Sequence, residues 1–224
     1  MDNESKAVVL LSGGLDSTTV LAMALRDGHT AYPLNIDYGQ RHAIEVKAAN
    51  GVAAFYQLQL YSATVRFSSP IAGSALTADI DLPRDRSVGD MVSGVPVSYV
   101  PARNTFLLGL AASYAGQVGA EHIYTGFNSV DYSGYPDCRP EYVAAINAAL
   151  ALGMKQPVAL TAPLVALGKG EIVQIGMSLG APLHLTWSCY AGSRNGERPC
   201  GRCDSCIIRA AGFADAGLAD PALP

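Results

Sequence analysis

The residues best suited to chemistry stand near the start of the chain, in the string Ser12-Gly13-Gly14-Leu15-Asp16-Ser17. Two successive glycines let the backbone turn sharply, so several N–H groups can point at one anion. An apolar run, Ala7 to Leu11, precedes the string and a helical pattern follows it. A helix beginning there directs its positive end at the same anion, which favours phosphate by roughly 0.3–1 kcal/mol in exposed settings. Ser12 and Ser17 add hydroxyl donors. Asp16 alone would repel phosphate, and makes sense as a holder of Mg²⁺ that bridges phosphate oxygens. The string is not a Walker A motif, because no Gly-Lys-Ser/Thr follows, and not a dinucleotide fingerprint, because G-x-G-x-x-G is absent. The plainer reading is a strand-to-helix turn with an Asp/Ser cap. The full SGGxDS string between an apolar strand and a helix argues against it.

A second group is Cys189, Cys200, Cys203 and Cys206, with the spacing C-x10-C-x2-C-x2-C. Pairs two residues apart suit tetrahedral thiolate ligation, and four ligands close a structural zinc site holding one ion. An iron–sulfur cluster is the rival, since C-x2-C-x2-C also occurs in ferredoxin-type runs. Few apolar residues lie between Trp187 and Arg209, so the metal is expected to decide whether this segment folds. Structural zinc contributes about 10–16 kcal/mol in finger peptides, against roughly 5–15 kcal/mol for the stability of a whole domain. Arg194, Arg198, Arg202 and Arg209 surround the cysteines and read as a solvated basic rim in preference to an anion or RNA contact. The fifth cysteine, Cys138, invites a covalent thioester, and His42 a proton shuttle, but neither is the preferred reading. A surface histidine at a helix start is the preferred reading of His42.

The elements that must position these groups alternate between strand and helix. Ala7 to Leu11 suits a buried parallel strand. Ser17 to Arg26 reads as a helix with Gly28 as its stop signal. Ala31 to Ile36 follows as a strand weakened by Pro33, then a helical pattern from Arg41 to Leu58 and a strand from Leu60 to Val65. The stretch from Phe67 to Ser98 lacks periodicity, and a connection that long suggests a functional lid or disorder. A helix from about Thr105 to Val118, a strand from His122 to Thr125 and a polar loop through Arg139 come next. Pro140 opens a helix that runs to about Leu152, and another spans roughly Gly168 to Leu179. This order predicts an α/β, Rossmann-like parallel sheet covered on both faces. Ligands in such sheets sit beyond the carboxyl ends of the strands, which is where the SGGLDS turn falls.

Bulk properties narrow the class. The 224 residues are 50% hydrophobic and only 15% charged, which excludes disorder for most of the chain. A formal net charge of −4 discourages broad binding to nucleic acid. The longest uncharged run, Asn104 to Ala120, carries Ser113, Tyr114 and Gln117 and reads as a buried helix, not a membrane span. The start of the chain lacks the layout of a signal peptide, and cysteines clustered near one end favour metal over disulfides. A cytoplasmic location without membrane contact is expected. The apolar helix Tyr142 to Leu152 has little polar face, so it is either fully buried or an oligomer interface, and a homodimer is expected.

The opening strand, SGGLDS and helix resemble the PP-loop ATP-pyrophosphatases, which grip the pyrophosphate of ATP and transfer AMP to a substrate oxygen. Four further segments sharpen the likeness: Asp37 to His42 (DYGQRH), Tyr99 to Asn104 (YVPARN), Gly126 to Arg139 (GFNSVDYSGYPDCR) and Gly168 to Ile172 (GKGEI). With the cysteine cluster, they resemble the 7-cyano-7-deazaguanine synthase family of queuosine precursor biosynthesis, from about Ala7 to Arg209. The resemblance implies an ATP- and Mg²⁺-dependent ligase that converts 7-carboxy-7-deazaguanine and ammonia to the nitrile by way of the amide. It implies an adenine-nucleotide alpha-hydrolase type of fold over residues 1–180 and a zinc-bearing extension over 181–224. Under it, Leu10, Leu11, Ser12, Gly13, Gly14, Leu15, Asp16, Ser17 and Thr18 form the nucleotide segment. Arg103 and Lys169 would neutralise the leaving pyrophosphate beside Asp16. Tyr38, Gln40, Asn104, Asp131, Tyr132, Tyr135, Asp137 and Arg139 are the candidate contacts to a guanine-like base and its carboxylate. No N-terminal cysteine nucleophile for a glutaminase is visible, so free ammonium is the expected nitrogen donor. A tRNA thiolase of the same superfamily, or a zinc-dependent nucleic-acid-binding module, are the competing readings.

Overall fold

Alternation along the first strand distributes its side chains between two cores. In the computed structural model, which describes residues 5–39, 43–66, 74–77, 80–91, 95–130, 135–191 and 198–222, β1 spans Lys6–Leu10. Ala7 and Val9 face one hydrophobic cluster, and Val8 faces the other. All three have no exposed surface, as a strand covered on both faces requires. Four more strands complete the sheet: β2 (Thr30–Asp37), β3 (Tyr61–Thr64), β4 (His122–Tyr124) and β5 (Ala159–Thr161). Their order is β3-β2-β1-β4-β5 and every pairing is parallel. The chain winds outward from β1 to β3 and then returns to β1's other side, which opens a crevice between β1 and β4.

Pro33 interrupts nothing. Thr30 donates to Ser5 and Leu34 accepts from Leu11, so even-numbered residues of β2 bond towards β1. Asp37 accepts from Val65, so odd-numbered residues face β3. Pro33 therefore turns its missing donor to the β3 side, one residue before β3 begins opposite Leu34.

One face is covered by α1 (Leu15–Arg26), α2 (Ala43–Phe55), α6 (Lys169–Ser178) and α7 (Asp204–Asp215). Val20, Val52, Ile172 and Phe213 pack there in one cluster. The other face is covered by α4 (Arg103–Val118) and α5 (Pro140–Gly153). A single-turn helix, α3 (Val88–Met91), lies in the long connection between β3 and α4.

Several expectations are corrected. The run from Asn104 to Ala120 is not buried all round: Asn104, Leu108, Ala111, Ala112 and Ala115 are buried, at helical spacing, and the opposite side is exposed. The helix from Pro140 is not fully buried either, since α5 has no buried residue. Strand β5 and helix α7 are additions that the sequence pattern did not suggest. A three-residue strand is too short to display a period. In α7 Cys206 and Arg209 occupy inward positions that apolar residues would otherwise mark. Residues after 180 supply Ala181, Leu183 and Phe213 to the core beneath α1.

Candidate active site and metal centre

The SGGLDS turn sits where the carboxyl end of β1 meets α1. Gly13 has φ +86°, and a Cβ there would fall 2.5 Å from the Ala49 nitrogen and 2.6 Å from the Glu45 carbonyl oxygen. Glycine is thus demanded both by the backbone conformation and by the first turns of α2 pressed against the loop. Ser12 accepts from the Gly14 N–H at 3.3 Å, and Ser17 donates to the Gly14 carbonyl at 3.1 Å. These bonds hold the turn open at the positive end of α1. A cavity of about 310 Å³ lies above it, between the ends of β1, β2 and β4. Leu10, Leu11, Ser12, Gly14, Leu15, Asp16 and Ser17 line it. Gly13 and Thr18 lie behind the lining, and the buried Thr18 hydroxyl has no hydrogen-bond partner among the described residues.

Three charged side chains converge on the loop. Lys169, the first residue of α6, points its Nζ at both carboxylate oxygens of Asp16, each at 2.8 Å. Helix α7 fixes that lysine from behind, where a Cβ on Gly212 would lie 2.2 Å from Lys169 Cγ. Arg103 opens α4, next to Ala102, whose φ of 54° is unusual for a residue with a Cβ. Burial works against the Arg103 charge, but the phenols of Tyr38, Tyr135 and Tyr190 favour it and its pKa is raised. Glu45, from the first turn of α2, also lines the cavity. Burial pushes its carboxyl up to about 7, with Arg103 opposing. Arg103 and Glu45 are only half-buried by surface, although protein atoms crowd them. Both line the cavity.

The candidate base contacts separate into groups. Tyr38 and Asn104 line the cavity. Tyr38 meets Phe106 edge-on, with ring centres 5.9 Å apart. Asn104 is buried and ties α4 to the 3₁₀ turn Pro136–Cys138: its N–H donates to Asp137 Oδ2 at 3.1 Å and its Nδ2 to the Asp137 carbonyl at 3.0 Å. Tyr135 is buried, shares a 2.6 Å hydrogen bond with Ser98, and carries the Arg103 guanidinium 6.0 Å above its ring. Asp137 is buried with its Oδ1 unpartnered among the described residues. Arg139 is exposed and is not among the residues lining the cavity. Gln40, His42, Asp131 and Tyr132 lie outside the described residues. Cys138 is a buried thiol that burial pushes up to about 11, with Asn104 Nδ2 at 3.3 Å, and it too is off the lining. A neutral thiol there is a poor nucleophile near neutral pH.

Sequence patterns did not single out Glu45, Asn35, Thr125, Trp187 or Tyr190, all of which line the cavity. Glu45 carried a faint signal as an acid within a largely apolar helix. The others are ordinary residues whose position depends on the tertiary fold.

The four cysteines meet at the N-terminus of α7, with all four sulfurs within 4.8 Å of one another. Cys200 and Cys206 sulfurs are 4.0 Å apart. A single tetrahedral ion with metal–sulfur bonds of about 2.3 Å sets sulfurs about 3.8 Å apart. A four-iron cluster places each thiolate on a different iron and spreads the sulfurs further. The set therefore fits one four-coordinate ion. Backbone N–H groups of Cys200, Arg202 and Cys203 donate to sulfurs at 3.3–3.4 Å, which favours thiolates. Two struts from the long connection brace this knuckle: Arg86 pairs with Asp204, and Arg202 with Asp85. The same connection sends Leu76 into the cavity wall. On the other side, Trp187 donates its backbone N–H to the Gly13 carbonyl at 2.9 Å, so the metal centre and the loop are two residues apart.

The expected basic rim is corrected at Arg209. That side chain is buried, lines the cavity, and satisfies its N–H groups on Asp220, Thr186, Ser188 and the Leu183 carbonyl. Arg198 is exposed, and Arg194 lies outside the described residues.

Comparison with known proteins agrees with this geometry. The chain matches the family model described as "Queuosine biosynthesis protein QueC" over residues 6–217. It is 50% identical to a 7-cyano-7-deazaguanine synthase of Solidesulfovibrio magneticus, covering 98% of this chain and 96% of the relative. A 7-cyano-7-deazaguanine synthase of Thermoplasma volcanium is 48% identical, covering 96% of this chain and 89% of that one. Among solved structures, a 4-thiouridine synthetase in complex with RNA and ATP aligns at a TM-score of 0.51 and 20% identity. That alignment covers 95% of this chain and 50% of the synthetase, and it shows a shared fold.

Proposed function

The chain belongs to the queuosine biosynthesis protein QueC family, and from that premise we propose that it is an ATP-dependent ligase making 7-cyano-7-deazaguanine from 7-carboxy-7-deazaguanine and ammonia. The observation that carries this reading is near-full-length identity of about half to relatives of that activity. The SGGLDS turn lining the cavity at the β1–β4 crevice supports it as the nucleotide site.

In this reading Ser12 to Ser17 cradle the pyrophosphate half of ATP against the start of α1. The substrate carboxylate attacks the α-phosphorus, pyrophosphate leaves, and the acyl adenylate forms. Lys169 and Arg103 stabilise charge on the departing pyrophosphate. Ammonia displaces AMP to give the amide, whose oxygen is adenylated in turn, and loss of AMP leaves the nitrile. Mg²⁺ would supply charge neutralisation on the phosphates, and Asp16, the carboxylate at the loop, would hold it. Tyr38 and Asn104 would border the deazaguanine, and Asp137 and Tyr135, which are off the cavity lining, would hold Asn104 and Arg103 in position. Zinc is the ion we assign to the four cysteines, one per chain. Through Trp187, the segment 181–224 then acts as a brace on the loop. A cytoplasmic homodimer using free ammonium completes the reading.

The test is mass spectrometry of a reaction holding metal-loaded protein, ATP, Mg²⁺, ammonium and 7-carboxy-7-deazaguanine. Nitrile, AMP and pyrophosphate are expected together. No nitrile and no pyrophosphate from such protein would overturn the assignment, and turnover on glutamine in ammonia-free buffer would overturn ammonium as the donor.

A further inference from the structure

The nitrogen that enters this reaction as ammonium must shed every proton it carries. In the first half, an acyl adenylate and ammonium become amide and AMP as the C–N bond forms and the C–O bond to AMP breaks. Two protons are released. In the second half, the amide and ATP become nitrile, AMP and pyrophosphate, and the two remaining N–H protons are released. Both halves need an acceptor close to the reacting carbon. Of the two carboxylates that line the cavity among the described residues, Asp16 is engaged by Lys169 through both oxygens, and Glu45 has no such ion pair to a described residue.

We propose that Glu45 is the general base of this site, taking the proton first from ammonium and then from the amide nitrogen; the proposal rests on the ligase reading above. The geometry favours it on two counts. Glu45 lines the cavity together with Ser12, Asp16 and Arg103. Its own backbone carbonyl abuts Gly13, so the carboxyl is anchored to the turn that would hold ATP. The titratable and charged groups sharing the wall are Asp16 on α1, Tyr38 after β2, Arg103 on α4, Lys169 on α6, and Tyr190 and Arg209 from the C-terminal segment. Among the described residues Arg103 is the charge that acts on Glu45, and it opposes the effect of burial on the carboxylate. A carboxyl pushed up to about 7 is matched to accepting and returning protons near neutral pH. Because its surface is part-exposed, each proton can pass on to solvent.

The experiment compares nucleophiles. With Glu45→Gln near neutral pH, ammonium-dependent amide formation is expected to fall about 10²–10⁴-fold, the range for loss of a positioned base. Pyrophosphate release without a nitrogen nucleophile is measured alongside, so that any loss of adenylation is divided out of both nucleophile rates. Hydroxylamine, already uncharged near neutral pH, is expected to lose no more hydroxamate rate than the variant loses in pyrophosphate release, and alkaline buffer is expected to restore part of the ammonium reaction. Equal loss with both nucleophiles, or no loss with ammonium, would overturn the assignment. A readout that needs no variant is the pH profile of the unaltered protein. The ammonium rate should carry an acidic limb near 7 that the hydroxylamine rate lacks, and the same limb with both would also overturn it. If the unaltered protein yields no pyrophosphate, the ligase reading falls first and this assignment with it.

Discussion

At the scale of single residues, the site is a set of charges held by one another before any ligand arrives. Lys169 is paired with Asp16 at 2.8 Å, and its side chain is only 11% exposed. Lys169→Met is expected to reduce pyrophosphate release about 10²–10³-fold, the scale of losing one preorganised electrostatic contact. Asp16→Asn should do similar damage, and the double variant little more, because the two act as a unit. A product of the single effects would argue for independent roles. Glu45 offers a second prediction, in stability. Its carboxyl is raised to about 7 in the fold, against an ordinary value of 4.5, so the native state holds the proton longer than the unfolded chain. Stability therefore falls as pH rises through that window. Glu45→Gln should be the more stable protein in denaturant melts at mildly alkaline pH, by on the order of 1–3 kcal/mol. The difference should vanish once pH drops below the ordinary carboxylate range, and a destabilised variant at alkaline pH would contradict it. The loop around Asp16 was legible because its chemistry is local, written in consecutive residues. Glu45 was not, since only the fold brings α2 against Gly13.

At the scale of elements, α7 does three jobs from one stretch of sequence. Its N-terminus carries Cys203 and Cys206, its middle buries Arg209, and Gly212 makes room for Lys169. The cysteine spacing was readable, but the helix was not, because thiols and a guanidinium fill inward positions that periodicity assigns to apolar groups. Strand β5 escaped for want of length. An ion on the four cysteines would be linked to the loop through Trp187, whose backbone N–H donates to the Gly13 carbonyl. Cys203→Ser is expected to lose the ion, lower the melting temperature by at least several degrees and weaken ATP binding. Metal content measured with calorimetric ATP titration checks this, and unchanged ATP affinity in metal-free protein would break the link. Gly212→Ala tests the other end of α7. The added methyl must displace Lys169, so pyrophosphate release should fall with the metal retained.

At the scale of the whole molecule, the parallel sheet explains why one end carries all the chemistry. Every strand points its carboxyl end at the same crevice, and the return of the chain from β3 to β4 opens the gap beside β1. That much followed from the strand–helix alternation. What the alternation left open was the outer surface. Helix α5 packs Tyr142, Val143, Ile146 and Leu150 against the second core. Its other face presents Glu141, Ala144, Ala145, Ala148, Ala149 and Leu152, at spacings of three and four residues, all exposed. Leu152 is 91% exposed, and none of the helix is buried. Small side chains on one helical face permit close approach of a second helix, and a two-fold contact would apply the same face twice. The face is mostly apolar, which in a lone soluble chain invites association. A second copy of the chain is therefore expected to cover α5. Light scattering after size exclusion should give twice the chain mass of 23.3 kDa. Ala145→Lys combined with Leu152→Lys should return it to one chain mass by opposing like charges across the two-fold contact. The cavity lies at the strand ends and draws no lining residue from α5, so pyrophosphate release by the separated chains should persist. A single-chain mass for the unaltered protein at assay concentrations would remove the dimer.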